Sequence, residues 1–347
     1  MKPHKKIGAE FNLSLGVIFG KNLHRLSNKF IYLASGRDSL EFIIKNFNIK
    51  GGSVLLPAYL CKSVVKPFKD NKLKTIFYKV NENLEIDVDD LAEKPYKDVK
   101  ALLVVHYFGV IQPNIKKISD ICGKKNILLI EDMVQSSMTE YNPRGDVFFN
   151  SYRKIVPLPD GSLLGYKSKL GKQVYRRSFM HFVYVKTRLL GLLMNNICSL
   201  RRLSRWIYVL CEDKLIANYK KPARMSLLSK FFLRKQDFKN ILKKRRENYD
   251  YLLKNIKEKG FKVLIKELPK NVCAFGFPII CEDREKIKQI LIENKIYPPV
   301  HWELPKEISK KQFPVSYDVS ESILTIPIDQ RYNVEDMKRV VKVLENV

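Results

Sequence analysis

Three short stretches hold the residues best suited to chemistry. Ser35-Gly36-Arg37-Asp38-Ser39-Leu40 follows the apolar run Tyr32-Leu33-Ala34 and opens a helical pattern. Free N–H groups at a helix start make an anion site, and glycine lets a phosphate approach the backbone closely. An ordinary capped helix carries the same Ser-Gly signature. Glu131-Asp132 follows Ile127-Leu128-Leu129-Ile130, with Gln135 one turn later. A carboxylate at the end of a buried strand is costly unless a cation faces it. The protonated ring nitrogen of a bound cofactor would supply that cation; a structural ion pair or a metal ion would do so equally. The third stretch, residues 145–154, runs out of a strand-like segment into a turn with Ser151, Arg153 and Lys154, closed by Pro157-Leu158-Pro159-Asp160-Gly161-Ser162. A lysine placed there, beside an arginine and a bound cofactor, gains the neutral amine form that a Schiff base needs, whereas most lysines in so basic a chain are simply solvated.

These residues need elements that bring them to one edge. From about residue 31 to 166, short apolar runs alternate with amphipathic stretches, the pattern of a parallel sheet with crossover helices. The runs are 53–56, 75–78, 101–105 and 127–130. Ligands of open parallel sheets bind beyond the carboxyl ends of the strands, which is where the three stretches fall. Gln112-Pro113-Asn114 predicts a helix start, the Ile115, Ile118 and Ile121 spacing its apolar face, and Gly123 its end. Residues 171–255 read as mostly helical, with a loop at Lys221-Pro222. Strands are expected at 261–264, 274–280 and 323–327, with a helix at 284–294. A last helix over 334–345 is capped by Asn333, with Asp336 in its first turn. The expected fold is α/β: an N-terminal arm (1–30), a large domain with a mostly parallel sheet and a helical extension (31–235), and a small C-terminal α+β domain (236–347).

The 347 residues are 45% hydrophobic and 29% charged, which suits a folded chain of about two domains. A net charge of +28, densest over 166–262, fits nucleic acid, an anionic membrane surface, a phosphorylated small substrate, or a solvated surface. No recognition-helix motif or ribonucleoprotein aromatic signature supports nucleic acid. Six cysteines without a C-x-x-C pair or a neighbouring histidine at ligand spacing point to reduced thiols, no metal site and a cytoplasmic setting. Glu10, Asn12 and Ser14 interrupt any signal-peptide core. Residues 182–210 are apolar in parts, but Lys186, Arg188, Arg201, Arg202 and Arg205 break them well short of the ~20 residues a membrane span needs. A helix with one apolar and one basic side is expected there, which leaves peripheral membrane contact open.

Taken in order, the motifs resemble the DegT/DnrJ/StrS-type aminotransferases, fold-type-I enzymes that use pyridoxal 5'-phosphate (PLP), over most of the chain. Ser35-Gly36-Arg37-Asp38-Ser39-Leu40 resembles the family's S-G-T-x-A-L phosphate turn, and Leu56-Pro57-Ala58-Tyr59 its V-P-S/A segment. Cys61 falls where the family has an aromatic residue stacked on the cofactor ring, and Tyr59 is the neighbouring aromatic that could replace it. His106-Tyr107-Phe108-Gly109 is similar to H-x-F/Y-G. Glu131-Asp132-Met133-Val134-Gln135 is similar to E-D-x-A-Q, whose aspartate meets the pyridine nitrogen and whose glutamine lies near the ring's phenolic oxygen. Residues 145–151 match G-D-x-x-x-F-S, whose serine binds the cofactor phosphate. Arg245-Arg246-Glu247-Asn248-Tyr249 resembles the helix leading into the small domain, and Leu324-Thr325-Ile326-Pro327 the terminal strand. His301-Trp302 lies where relatives place a substrate-side loop, and equally reads as a packed aromatic pair.

The resemblance implies that Lys154 is the Schiff-base lysine and Asp132 the partner of the pyridine nitrogen. Gly36, Arg37, Asp38, Tyr59, Cys61, Gln135 and Ser151 would then complete the cofactor site. It also implies a homodimer that transfers an amino group from glutamate or a similar donor to a keto-sugar, nucleotide-linked, in polysaccharide or glycan biosynthesis. Departures from the pattern keep alternatives open. Lys154 lies three residues after Ser151 where the family has five, so Lys167 and Lys169 are further candidates. Asp160-Gly161-Ser162 replaces D-G-G. Pro222-Ala223-Arg224-Met225-Ser226 replaces N-Y-R-M-S, losing an asparagine that in relatives reaches the partner's phosphate site. A sugar dehydratase, or a scaffold that has lost transamination, is the alternative reading.

Overall fold

A computed structural model describes residues 5–8, 10–168, 170, 179–210 and 222–347. The chain opens with β1 (Ile7–Gly8), α1 (Leu15–Phe19), β2 (Ile31–Leu33), α2 (Gly36–Asn46), β3 (Ser53–Pro57), α3 (Lys62–Asp70), β4 (Lys74–Tyr78) and α4 (Val88–Ala92). There follow β5 (Val99–Val105), α5 (Ile115–Lys125), β6 (Leu128–Asp132), β7 (Val147–Phe149) and β8 (Ser162–Tyr166). Helices α6 (Phe179–Met194), α7 (Arg201–Leu210), α8 (Leu227–Arg234) and α9 (Phe238–Asn255) come next. The last part holds β9 (Phe261–Val263), β10 (Phe277–Cys281), α10 (Arg284–Glu293), β11 (Ile296–Tyr297), α11 (Pro314–Ser322), β12 (Ile323–Ile326) and α12 (Val334–Leu344).

Among the described residues, seven strands form one sheet in the order β2-β8-β7-β6-β5-β3-β4. β8 is antiparallel to both β7 and β2, and the other pairings are parallel, so β8 alone runs against the rest. The apolar runs are continuous because both faces are covered. Leu56, Leu103, Val105 and Ile130 face one core with Leu40, Ile43 and Phe68 from α2 and α3. Leu55, Leu102, Val104 and Leu129 face the other with Ile115, Ile118 and Cys122 from α5.

α5 runs two residues past the expected stop at Gly123. Lys124 and Lys125 continue the helix, and Asn126 takes the left-handed position (φ 53°), its N–H donating to Cys122 and Gly123 carbonyls. Asparagine is one of the few residues that tolerates that conformation, so it supplies the turn the glycine was expected to supply.

A second core surrounds the antiparallel sheet β12-β10-β9, packed with α9, α10 and α12. The start of the chain joins it, since β1 pairs in parallel with β11. Asn333 and Asp336 form a reciprocal capping box at the head of α12. The strand expected to begin at Ala274 begins at Phe277. The Phe275 N–H instead donates to the Phe108 carbonyl at 3.0 Å, so this stretch ties the second sheet to the turn after β5. Gly109 makes that approach possible: its φ is +103°, and a Cβ there would lie 2.3 Å from the Cys273 carbonyl oxygen. A second tie runs through Arg245, fully buried on α9, which donates to the Ala274 and Phe275 carbonyls and to Gln330 Oε1. Gln330 Nε2 in turn donates to the Ile155 carbonyl at 2.8 Å, next to Lys154. No helix among the described residues is long and apolar enough to cross a membrane.

Candidate active site at the carboxyl edge of the sheet

Five strand ends converge on one edge. β2 leads to Ser35-Gly36, β3 to Tyr59 and Cys61, and β5 to a turn at Tyr107–Gly109. β6 ends on Asp132, and β7 leads to Ser151 and a 3-10 turn over Tyr152–Lys154. These strands run in one direction, so their carboxyl ends share an edge.

Asp132 is 5% exposed. Its carboxylate accepts from the Val134 N–H at 2.9 Å. Burial pushes its pKa up to about 6, against the Val134 hydrogen bond and the charge of Lys154. Lys154 also acts on His301: burial first, then the lysine's charge, push that imidazole down to about 3, so it stands neutral. The charge of Lys154 therefore bears on both Asp132, at the end of β6, and His301, in the loop after β11. The Lys154 side chain itself is exposed.

Gln135 is buried. Its Oε1 accepts from the Phe108 N–H at 2.8 Å, while its Nε2 has no partner among the described residues. Beneath it, His106 and Glu131 form a fully buried pair at 2.6 Å. The Gln112 N–H donates to His106 Nδ1, which leaves the ring proton on Nε2 for Glu131. Glu131 also accepts from the Gly145 N–H. Thus the first carboxylate of Glu131-Asp132 braces the β5 and β7 connections and the second faces the edge. A histidine at the end of one strand and two adjacent carboxylates at the end of the next are the signal for that division.

Ser35 caps α2 with its hydroxyl on the Asp38 N–H. Gly36 packs against the ring of Phe149, which a Cβ would approach to 3.3 Å, so the head of α2 sits beside the β7 end that leads to Ser151. Ser151 is buried, and its hydroxyl makes no cap bond to the 3-10 turn that follows. Arg37 is half-buried. Asp38 is turned to the scaffold: one oxygen accepts from the Ser35 hydroxyl and the other from the Ala223 N–H at 2.9 Å, and burial raises its pKa. With the bridge between Leu33 and Arg224, this fastens residues 223–225 along the free edge of β2.

Tyr59 has no exposed surface; its ring lies 5.6 Å from both Tyr107 and Trp302, and its hydroxyl donates to the His301 carbonyl. Cys61 is half-buried at the head of α3, with Sγ 3.1 Å from Ser63 Oγ. His301 Nδ1 bonds Thr325 Oγ1 at 2.9 Å, and its ring packs edge-on to Phe108 and Phe275. His301-Trp302 is thus both a packed pair and a wall of this edge.

Lys167 stands elsewhere. β8 runs against the other strands, so its end lies at the amino edge, where Lys167 Nζ donates to the Arg144 carbonyl at 2.6 Å and its N–H to Asp146. Lys169 lies outside the described residues. Asp160, of the departing Asp160-Gly161-Ser162, is a buried hub that accepts from the Ser226 N–H and hydroxyl, the Ser229 hydroxyl and His181 Nε2. Ser162 bonds Ser39 at 2.7 Å and the Asn150 carbonyl, and so secures α2 against β8.

Comparison with known proteins agrees with this architecture. The chain is 24% identical over 332 residues to the dTDP-3-amino-3,6-dideoxy-alpha-D-galactopyranose transaminase of Aneurinibacillus thermoaerophilus, covering 90% of this chain and 84% of that protein. It is 24% identical over 141 residues to the GDP-perosamine synthase of Vibrio cholerae, 38% of each chain. Among solved structures, a Streptococcus pneumoniae protein in its PLP form superposes with a TM-score of 0.70 at 13% identity, over 99% of this chain and 98% of that one. The aminotransferase TlmJ of Streptoalloteichus hindustanus superposes with a TM-score of 0.68 at 16% identity, over 92% and 85%. The profile of the DegT/DnrJ/EryC1/StrS aminotransferase family matches residues 21–147 and 232–345, leaving the Lys154 turn and helices α6 and α7 outside the match. With most of its length so matched, the chain belongs to the DegT/DnrJ/EryC1/StrS aminotransferase family, enzymes that use pyridoxal phosphate.

Proposed function

We propose that this aminotransferase moves an amino group from glutamate, or a similar donor, to a keto-sugar carried on a nucleoside diphosphate, with Lys154 and Asp132 as its catalytic residues. The observation that carries the reading is the action of Lys154 on the buried Asp132, at the edge where Gln135 Nε2 has no partner among the described residues. The two relatives named above are a dTDP-sugar transaminase and a GDP-sugar synthase, which supports the substrate class.

The residues present fit the cofactor. Asp132 is a buried carboxylate that a cationic ring nitrogen would stabilise, and Gln135 Nε2 is a buried donor in want of an acceptor. Ser151, buried at the end of β7, and the positive end of α2, which opens at Gly36 beside it, would hold the phosphate. Bound there, pyridoxal phosphate supplies an electron sink for the substrate carbon. Asp132 would keep the proton on the ring nitrogen, and its burial would make that contact strong. Lys154 would hold the cofactor, and its amine would move the proton at the substrate carbon. His301, neutral and held by Thr325, walls the edge with Phe108 and Phe275. Tyr59 and Asp38 support these parts from behind.

Lys154 is exposed in the single chain, which supports a homodimer whose second copy closes the site. A cytoplasmic enzyme of polysaccharide or glycan biosynthesis is the setting that this chemistry suits. The test is the half-reaction: cofactor-loaded protein given glutamate should lose its visible absorption and release 2-oxoglutarate, and a dTDP- or GDP-linked keto-sugar should then restore it. Absorption indifferent to glutamate and to other amino donors would sink the reading.

A further inference from the structure

Helices α6 and α7 form a hairpin whose inner side is firmly seated. His181, Tyr184, Val185, Arg188, Gly191 and Leu192 are buried on α6, and Ser204 and Ile207 on α7. His181 Nε2 reaches Asp160 at 2.9 Å, and Ser204 Oγ donates to the Gly191 carbonyl at 2.8 Å. The outer side is a different surface. Phe179, Phe182, Leu190 and Leu193 recur at helical spacing on α6, with Phe179 77% exposed, and Lys186 lies among them. On α7, Leu203 and the 61%-exposed Trp206 each follow an exposed arginine, Arg202 and Arg205. Large apolar side chains so grouped on a seated hairpin mark an interaction surface rather than scattered exposure.

We infer that this outer face lies flat on an anionic phospholipid surface, its aromatic and leucine side chains in the headgroup boundary and its arginines and lysine on the lipid phosphates. The charge decides the occupant. Residues 161–211 contain ten Lys and Arg and no Asp or Glu. A second copy of the chain meeting this face about a two-fold axis would set Lys186, Arg202 and Arg205 against their own counterparts, with no carboxylate from the same stretch between them. A bilayer with anionic headgroups meets both features: phosphates for the cations, an apolar boundary for Phe179, Leu190 and Trp206. No described helix is long and apolar enough to cross, so the contact is in the plane of the surface. The transamination site makes no use of these outward side chains, and the inference stands apart from the substrate assigned above.

The experiment is co-sedimentation of the full-length protein with vesicles of phosphatidylcholine alone and of phosphatidylcholine with phosphatidylglycerol, alongside the double variants F182E/W206E and R202E/R205E. The thermal transition of each variant reports folding, and the sedimentation coefficient without lipid reports oligomeric state. The wild type should bind the phosphatidylglycerol vesicles at least about tenfold better than the neutral ones, and both variants should lose that preference while melting like the wild type. A Trp206 fluorescence blue shift on vesicle addition, absent in W206F, should accompany binding. Equal binding to both vesicles, no binding, or variants that bind like the wild type would overturn the inference. So would variants that change only the sedimentation coefficient, which would assign the face to a second copy. If either double variant fails to fold, the single substitutions Trp206→Ser and Arg205→Gln carry the same comparison.

Discussion

Lys154 acts on Asp132 across the carboxyl edge of the sheet, drawing its carboxyl down against the burial that lifts it to about 6. The folded-state pKa stands above the ordinary 3.8, so the folded chain binds that proton more tightly than the unfolded one. Its contribution is present at low pH and is lost as pH rises towards 6. An asparagine has nothing to lose. Cofactor-free Asp132→Asn should match the wild type near pH 4 and melt higher above pH 6, by an amount corresponding to at most roughly 3 kcal/mol. The same substitution should lower the glutamate half-reaction at least about a hundredfold. A pH series of thermal melts on both proteins checks the first part, and a gap that does not widen between pH 4 and 6 contradicts it.

Asp160 predicts a purely structural loss. Its carboxylate takes two hydroxyls, one backbone N–H and His181 in a site with no exposure. Asp160→Ala leaves those groups without their acceptor and should cost about 3 kcal/mol in urea unfolding. A change under about 0.5 kcal/mol, the scale of surface substitutions, would show the hub to be idle.

Two glycines should respond unequally to alanine. At Gly109 the backbone is left-handed and the new Cβ would meet the Cys273 carbonyl at 2.3 Å, where backbone lies on both sides. At Gly36 it would meet only the edge of the Phe149 ring, at 3.3 Å. Gly109→Ala should therefore lose roughly 2 kcal/mol or more of stability, and Gly36→Ala less, with a weaker hold on the cofactor phosphate as its main effect. Chemical denaturation and a cofactor titration separate the two.

The sheet was legible in the sequence because strands covered on both faces leave unbroken apolar runs, and β3, β5 and β6 formed where those runs stood. The place of Asp132, Gly36, Ser151 and Lys154 at strand ends followed from the same pattern. The helix stop at Asn126 was not legible, since Gly123 is the stronger local signal and only the continuing helix passes over it. The bracing role of Asp38 was hidden because its partner Ala223 lies 185 positions away, and Asp160 was hidden likewise, its Ser226 partner being 66 away. The reversed direction of β8 is also tertiary. It carries Lys167 to the far edge, which spacing from Ser151 alone could not reveal.

The most direct measurement locates the lysine that holds the cofactor. Protein loaded with pyridoxal phosphate is reduced with borohydride, digested, and its peptides mapped by mass, with Lys154→Ala treated in parallel. The modification should fall on Lys154 in the wild type and be absent from the variant. A modified Lys167 or Lys169, or label retained in Lys154→Ala, would contradict the account.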